Sequence, residues 1–422
     1  MAYKAMETNG LSFKLIRAED IKKGCLKNYA MLFVPGGWAS NKLKALGDKG
    51  TAEIKKFVRN GGNYLGFCGG AGLATLDGIG LLNIKRKPTK ERVPSFSGRI
   101  NLNINKHSVW TEINRKDNEG VDSPIHRFRH SPVFHAWWPS QFLIEDSGLE
   151  ILATYGNALP DSFSSDLNVG DVETNNNWTE LEEIYRINLN PKRLKNEPAV
   201  IEGAFGKGRV ILSLIHFDTP DDANGAKVLR NLWKYLIENS YELRVKSDEL
   251  KKFKNSKPEM ISLQVNELES AVNDLISLGI RNFLWFWRNP MLLQWRRGVR
   301  GLEYCALYIM INAIAEMLKI QDSLLGGSPQ ATGYRMQDTE KHLKKVKGML
   351  IPFVDKAKHL LILERHEIQN GHITYERCDD PGIQKLRTEL FSSSKSHGGL
   401  FKDLIDETDK LLYALIEMEA AK

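Results

Sequence analysis

The chain has 422 residues, of which 42% are hydrophobic and 26% charged, and its formal net charge is +7. This is the composition of an ordinary globular protein, and the length indicates two or three domains that can each bury a core. A charge this small, with basic clusters only at residues 85–87 and 341–347, does not favour nucleic-acid binding.

The cysteines and the apolar segments exclude further classes of protein. Cys25, Cys68, Cys305 and Cys378 lie far apart without a CxxC pair, which argues against a disulfide scaffold and a structural zinc site. The N-terminus carries no apolar signal segment, so a cytoplasmic location is expected. The longest uncharged apolar stretch, residues 304–315, is shorter than the ~20 residues of a spanning helix. It predicts a buried helix and no transmembrane segment.

Up to about residue 240, short apolar runs alternate with helical patterns, as in βαβ units. The predicted strands are 12–16, 31–34, 63–67 and 149–155 and the hairpin pair 199–205 and 209–215, and the predicted helices are 45–59 and 226–238. Residues 117–198 are rich in Asn, Asp, Ser and Pro, which predicts a loop-rich insertion around the strand at 149–155. These patterns predict one α/β domain over residues 1–245.

The character of the sequence changes after residue 245. Residues 246–258 form a charged linker, and beyond it apolar residues recur at the 4-3-4-3 spacing of one helix face. Further helices are predicted at 292–320, 337–363 and 402–420. We therefore expect an all-α helical bundle over residues 259–422. Trp285, Trp287 and Trp295 alternate with arginines, which is typical of a bundle core, a protein-binding face or a membrane-surface face.

The segment most informative about chemistry runs from Gly66 to Gly72 and contains Cys68. A buried strand ends at Phe67 and a helix begins near Gly70, so Cys68 is predicted to lie on a sharp strand-to-helix turn. A thiol at a helix N-terminus is favoured as the thiolate by the helix dipole. The alternative is a small buried cysteine in a glycine-rich turn.

Two remote segments favour the catalytic interpretation. Pro35-Gly36-Gly37 follows the neighbouring strand, and its backbone N–H groups, with that of Gly69, can form an oxyanion hole. His216 and Asp218 follow the hairpin strand, and the H-x-D spacing lets the carboxylate orient the imidazole.

In this order, the three segments resemble class I glutamine amidotransferase-like domains, and most closely the branch found as the N-terminal domain of some biotin–protein ligases. The resemblance covers residues 1–240 and implies a flavodoxin-like sheet. It implies Cys68 as nucleophile, His216 as base and Asp218 as orienting acid, with the backbone of Gly37 and Gly69 as oxyanion donors.

The chain also departs from that family. Gly72 stands where the glutamine-hydrolysing enzymes carry Gln, and Asp218 stands where they carry Glu. No synthetase domain and no biotin-ligase catalytic half is recognisable. The chain also opens at what should be the first helix of the fold, so either it begins late or the sheet lacks a strand.

Other residues are weaker candidates for a site. His126, His130 and His135 lie close together, but solvated or capping histidines are favoured over a metal site, because no acidic or cysteine partner stands at ligand spacing. Residues 135–139 form either an aromatic wall near Cys68 or part of the core. Asp221 and Asp222 are predicted to cap the next helix rather than to act in catalysis.

The sequence thus predicts a cysteine-dependent hydrolase or amidotransferase-like enzyme for an amide or acyl substrate, without a metal or cofactor. The substrate can be a small molecule or a peptide amide, and the C-terminal helices can bind a protein partner. The alternative is a non-catalytic binding or scaffold module that keeps the pocket and recruits a partner through those helices.

Overall fold

A computed structural model of the protein describes residues 1–113, 131–145, 148–238, 259–324, 333–371, 373–392 and 398–420. The chain divides into two compact units, Met1–Val245 and Lys246–Lys422. The predicted linker, residues 246–258, lies outside the described residues.

The first unit is an α/β domain. Its strands are β1 (Met31–Val34), β2 (Asn63–Phe67), β3 (Ile84–Arg86), β4 (Phe96–Ile104), β5 (Val133–Trp137), β6 (Phe142–Ile144), β7 (Glu150–Ala158), β8 (Phe163–Ser164), β9 (Leu167–Asn168), β10 (Pro198–Phe205) and β11 (Gly208–Ser213). Its helices are α1 (Ala2–Thr8), α2 (Ala18–Lys22), α3 (Ala39–Arg59), α4 (Gly69–Ala74), α5 (Val169–Asn175), α6 (Trp178–Tyr185) and α7 (Ala223–Glu238).

Within the described residues, the main sheet has nine strands in the order β1-β2-β11-β10-β7-β4-β8-β9, with β5 paired to β4. Strand β2 runs parallel to β1 and to β11, and the other pairs are antiparallel. Every residue of β2 is buried, as expected of a strand inside a parallel sheet. The parallel part therefore presents the carboxyl ends of three neighbouring strands at one edge.

The predicted α/β class and the strands at 31–34 and 63–67 are confirmed, and so is the hairpin of β10 and β11. The predicted strand at residues 12–16 is wrong, because these residues belong to no strand or helix in the structure. The prediction of a loop-rich insertion at 117–198 also needs correction. Its described residues include two helices and the strand β5 in addition to the predicted strand, which is β7. Strand β5, which pairs with β4, has only five residues and is too short to show a clear alternating pattern.

The second unit contains α8 (Glu259–Arg281), β12 (Trp285–Asn289), β13 (Leu292–Trp295), α9 (Gly301–Leu324), α10 (Gly333–Asn370), α11 (Pro381–Phe391) and α12 (Gly399–Ala420). The helical region is confirmed, but it is not all-α. A hairpin replaces the start of the helix predicted at 292–320, and Asn289 closes its turn by accepting a hydrogen bond from the N–H of Met291 at 2.9 Å.

The tryptophans and the apolar helix of this unit contribute to its core. Trp285 is buried, and Trp287 and Trp295 pack partly buried against the same cluster. Among the described residues, one stretch, Gly301–Lys319 of α9, is long and apolar enough to cross a membrane, and half of it is buried inside the protein. Such burial is also found in the core helix of a globular domain, and the cytoplasmic location remains a prediction.

Candidate functional site

The three predicted site segments converge because the strands that precede them are neighbours. Val34 of β1 pairs with Gly66 of β2, and Ser213 of β11 pairs with Phe67 of β2. Since the strands are parallel, the residues that follow them emerge at the same sheet edge. In open α/β sheets this edge is where ligands bind.

Cys68 lies on a strained turn between β2 and α4. Its backbone has φ +47°, a region that residues other than glycine rarely adopt, and its N–H donates to the carbonyl oxygen of Ser213 at 2.8 Å. The turn is closed so tightly that a Cβ on Gly69 would lie 1.7 Å from the carbonyl oxygen of Gly37. Strain of this kind at a half-buried thiol is typical of a nucleophile held up from the sheet edge.

Two buried phenylalanines support the turn and the histidine from below. Phe67 directly precedes Cys68, and Phe217 lies between His216 and Asp218. Their ring centroids are 5.7 Å apart in an edge-to-face arrangement, and both side chains are buried. Because this contact joins the two backbone segments, it limits the relative movement of the sulfur and the imidazole.

His216 is held between a carboxylate and the cysteine. Its Nδ1 lies 2.9 Å from Oδ1 of Asp218, and both side chains are buried. A Cβ placed on Gly36 would lie 2.8 Å from Cε1 of His216 and 3.7 Å from Cβ of Cys68. Glycine at position 36 is therefore the residue that allows the ring, the thiol turn and the β1 loop to meet.

The electrostatics of the three side chains favour a charged pair. Burial alone raises the pKa of Cys68, but the hydrogen bond and charge of His216, with the N–H of Gly69, outweigh it and lower that pKa below its ordinary value. Burial opposes protonation of His216, yet Asp218 and Cys68 raise its pKa to about 10. Burial likewise acts against the Asp218 carboxylate, and His216 holds the pKa of Asp218 below its usual range. The arrangement favours thiolate and imidazolium together.

The segment at 135–139 lines the same site. The Cys68 sulfur lies 3.9 Å from the carbonyl oxygen of Trp137, whose indole N–H donates to Thr219 at 2.9 Å. His135 stacks on the Trp137 ring, and its Nδ1 lies 2.7 Å from Asp222. The aromatic wall that the sequence left open is therefore part of this site.

The remaining sequence candidates have other surroundings. Asp222 accepts a hydrogen bond from the N–H of Gly225 at 2.8 Å, in addition to its contact with His135, which agrees with a helix-capping role. His126 and His130 lie outside the described residues.

Within the described part of the chain, one group has ligand spacing for a metal: His107, Glu150 and Glu202. Arg209 already binds Glu202 at 2.9 Å, so that carboxylate has a cation without a metal.

Sequence reasoning missed three basic side chains at this site. The Nζ of Lys42 lies 3.6 Å from the position of a Cβ on Gly37, and Nη1 of Arg86 lies 3.3 Å from that of a Cβ on Gly72. Arg92 donates to the carbonyl oxygen of Pro139 at 3.3 Å, next to the segment that contacts Cys68. The sequence offers no local signal for their convergence, since they come from a helix, a short strand and a connecting loop.

Comparison with known proteins agrees with the resemblance seen in the motifs. Residues 11–77 match the model of the family described as "Biotin-protein ligase, N terminal". This stretch includes both the β1 loop and Cys68. The resemblance to that family is therefore confirmed for this part of the chain. No curated protein shows significant sequence similarity.

Solved structures show weak similarity over 56% of the chain. A GMP synthase-like protein of Thermoplasma acidophilum is 11% identical over 86% of its own length, with a TM-score of 0.34. A cytoplasmic protein of Salmonella typhimurium LT2 is 10% identical over 86% of its length, with a TM-score of 0.33. A β-galactosidase of Rahnella sp. R3 is 16% identical, with a TM-score of 0.32, and the match spans about a quarter of that enzyme, 26%.

Proposed function

We propose that the protein is a cysteine-dependent hydrolase or amidotransferase-like enzyme that acts on an amide or related acyl substrate. The observation that supports this proposal most directly is the effect of His216 on Cys68. The imidazole, held by Asp218, lowers the pKa of a half-buried thiol that burial alone would raise. A structural cysteine in an apolar turn has the opposite shift.

The proposed reaction begins with the Cys68 thiolate. The sulfur attacks the carbonyl carbon of the substrate, and the carbonyl electrons move to its oxygen, which faces the backbone N–H groups of Gly37 and Gly69. When the C–N bond breaks, the His216 imidazolium gives its proton to the leaving amine, and an acyl-enzyme forms. A water molecule then attacks the acyl carbon and gives a proton to His216. Loss of the thiolate releases the carboxylic acid product.

Glutamine itself is not the substrate that we propose. The side chain of Arg86 lies beside Gly72, the position at which the glutamine-hydrolysing enzymes carry Gln. The pocket beside the thiol therefore differs from theirs in both shape and charge. A protein partner bound through the C-terminal helices remains a separate proposal. Leu263 of α8 is an exposed apolar side chain, and Phe283 and Phe286 are exposed in the chain that follows α8.

Alkylation of the intact protein with iodoacetamide tests the proposal. We expect the rate at Cys68, measured by peptide mass spectrometry, to rise with an inflection below the ordinary thiol value of about 8.5. Cys25 serves as an internal control, because burial raises its pKa. In His216→Ala the inflection should move upward, since burial and the charge of Asp218 raise the pKa of the thiol and only the N–H of Gly69 then acts against them. An ordinary thiol profile that ignores this substitution would favour the non-catalytic binding module.

A further inference from the structure

The side chains around Cys68 carry an excess of positive charge. Lys42 comes from the first turns of α3, Arg86 from β3, and Arg92 from the loop before β4. Each approaches a segment that forms the site: the Gly37 loop, the α4 turn at Gly72, and the chain at Pro139. Three independent parts of the chain thus direct cations to one sheet edge.

In the described part of the chain, carboxylates neutralise these cations only in part. Arg86 lies 3.8 Å from Asp77, and its Nε is buried without a hydrogen bond. In the described part of the chain, Lys42 and Arg92 form no ion pair with a carboxylate, and the Nε of Arg92 is also buried and unbonded. Burial lowers the pKa of Arg92, and the like charge of Arg86 lowers it further. Mutual repulsion of this kind between partly buried cations is costly, and a bound anion relieves it.

A neutral donor lies near the same sulfur. Tyr155 is fully buried on β7, and its hydroxyl has no hydrogen-bond partner among the described residues. Burial is the largest cause that raises the pKa of Tyr155, and the nearby charge of the Cys68 thiolate raises that pKa further. Buried hydroxyl groups are nearly always hydrogen-bonded in proteins, so this group is suited to a ligand.

We propose that Lys42, Arg86 and Arg92 bind a carboxylate of the substrate beside the Cys68 thiol. Guanidinium groups match the planar geometry of a carboxylate, and the lysine adds a point charge. The proposal rests on the proposed function and narrows it: the substrates are amides or acyl compounds that carry a negative charge near the carbonyl carbon. The carboxylate belongs either to a small monoamide of a dicarboxylic acid other than glutamine or to the free end of a peptide.

Two alkylating reagents that differ only in charge test the subsite. Iodoacetate and iodoacetamide attack the same thiolate, so the ratio of their rates does not depend on the pKa of Cys68. We expect the rate with iodoacetate divided by the rate with iodoacetamide to be higher at Cys68 than for free glutathione. This ratio should fall about fivefold in Lys42→Gln or Arg92→Gln, because one screened charge is removed. Added salt should reduce the ratio as well. Arg92→Lys should keep most of it.

Lys44→Gln is the matched control, because Lys44 is exposed on the same helix as Lys42. It should leave the ratio unchanged. A ratio equal to that of glutathione, and insensitive to the two neutral variants, would overturn the carboxylate subsite. The iodoacetamide profile alone reports whether the thiol is activated, so failure of the subsite is distinguishable from failure of the proposed function.

Protection of Cys68 from iodoacetamide separates the two sources of the carboxylate. Protection by succinamate indicates a small monoamide acid, and protection only by a dipeptide with a free C-terminus indicates a peptide end. Equal protection by succinamate and by uncharged succinamide contradicts the proposal.

Discussion

The Nδ1 atom of His216 lies 2.9 Å from Oδ1 of Asp218, in a pair that is almost completely buried. A Cβ placed on Gly36 would lie 3.5 Å from Nε2 of the same ring and 3.7 Å from Cβ of Cys68. The carboxylate therefore holds one ring nitrogen and leaves the second on the side of the sulfur. We therefore expect the reactivity of Cys68 to depend on the charges of His216 and Asp218.

Removing the charge of Asp218 should weaken the activation of Cys68. In Asp218→Asn the pKa of His216 should fall, because burial already lowers it and Asp218 is the largest cause that raises it. The neutral imidazole then no longer stabilises the thiolate, and the inflection of the Cys68 alkylation profile should move to higher pH. The profile is measured with iodoacetamide and peptide mass spectrometry.

Asp218→Glu is the matched variant, since it keeps the charge and restores the residue of the glutamine-hydrolysing enzymes. It should recover part of the low-pH reactivity, although the additional methylene must fit a buried position. Equal profiles for the Asn variant and the unchanged protein would contradict the role given to Asp218.

A methyl group at position 36 should displace the imidazole. In Gly36→Ala the new Cβ would lie 2.8 Å from Cε1 of His216, closer than real Cβ contacts allow. We expect the low-pH alkylation of Cys68 to fall at least ~10-fold, if the ring loses its hydrogen-bonding position at a cost of about 1.4 kcal/mol or more. Circular dichroism should show that the fold is retained. Unchanged alkylation at low pH would mean that the ring does not occupy this position.

The buried carboxylate of Glu364 should make the second unit less stable as the pH rises. Its Oε1 lies 3.1 Å from Nε of Arg387, while burial raises its pKa to about 7, with opposing effects from Arg387 and Arg300 and a further increase from Glu303. Between about pH 4.5 and 7 the folded state holds this proton and the unfolded state does not. The contribution of Glu364 to the free energy of unfolding should therefore be greatest below about pH 4.5 and decrease as the pH rises to about 7.

Hydrogen exchange of the α10 and α11 amides measures this effect in the full chain. Glu364→Gln should flatten the decrease, because the amide cannot lose a proton. The exposed Glu417→Gln should leave it unchanged. A decrease that persists in Glu364→Gln would assign the effect to another group.

Two glycine substitutions should change stability in opposite directions. Gly206 forms the β10–β11 turn with φ +65°, and a Cβ there would lie 2.6 Å from the carbonyl oxygen of Arg59. Gly206→Ala should therefore lower the free energy of unfolding by about 1–3 kcal/mol.

Gly348 lies exposed inside α10 with open space around it, and Gly348→Ala should raise the free energy of unfolding by ~1 kcal/mol. Urea unfolding of both variants and of the unchanged protein measures the two changes in the free energy of unfolding. A stabilised Gly206→Ala protein would contradict the described turn.

Local patterns in the sequence were enough for the strands that hold the site. The strand-forming runs at 31–34 and 63–67 and the Gly206 turn are short, continuous signals, and the order of motifs after them indicated that the carboxyl ends would meet. The hairpin at Trp285–Trp295 was missed because its apolar residues also fit a helical period, although Asn289-Pro290 is a turn signal.

The sequence by itself therefore determined the α/β frame and the meeting of Cys68, His216 and Gly36, because each follows a strand and parallel strands share an edge. Only the tertiary structure decided which further side chains surround the thiol. Lys42, Arg86 and Arg92 are separated by helices, turns and short strands, and their approach to Cys68 depends on how those elements pack in three dimensions. No period or spacing along the chain encodes that packing, and so the charge of the site became visible only in the fold.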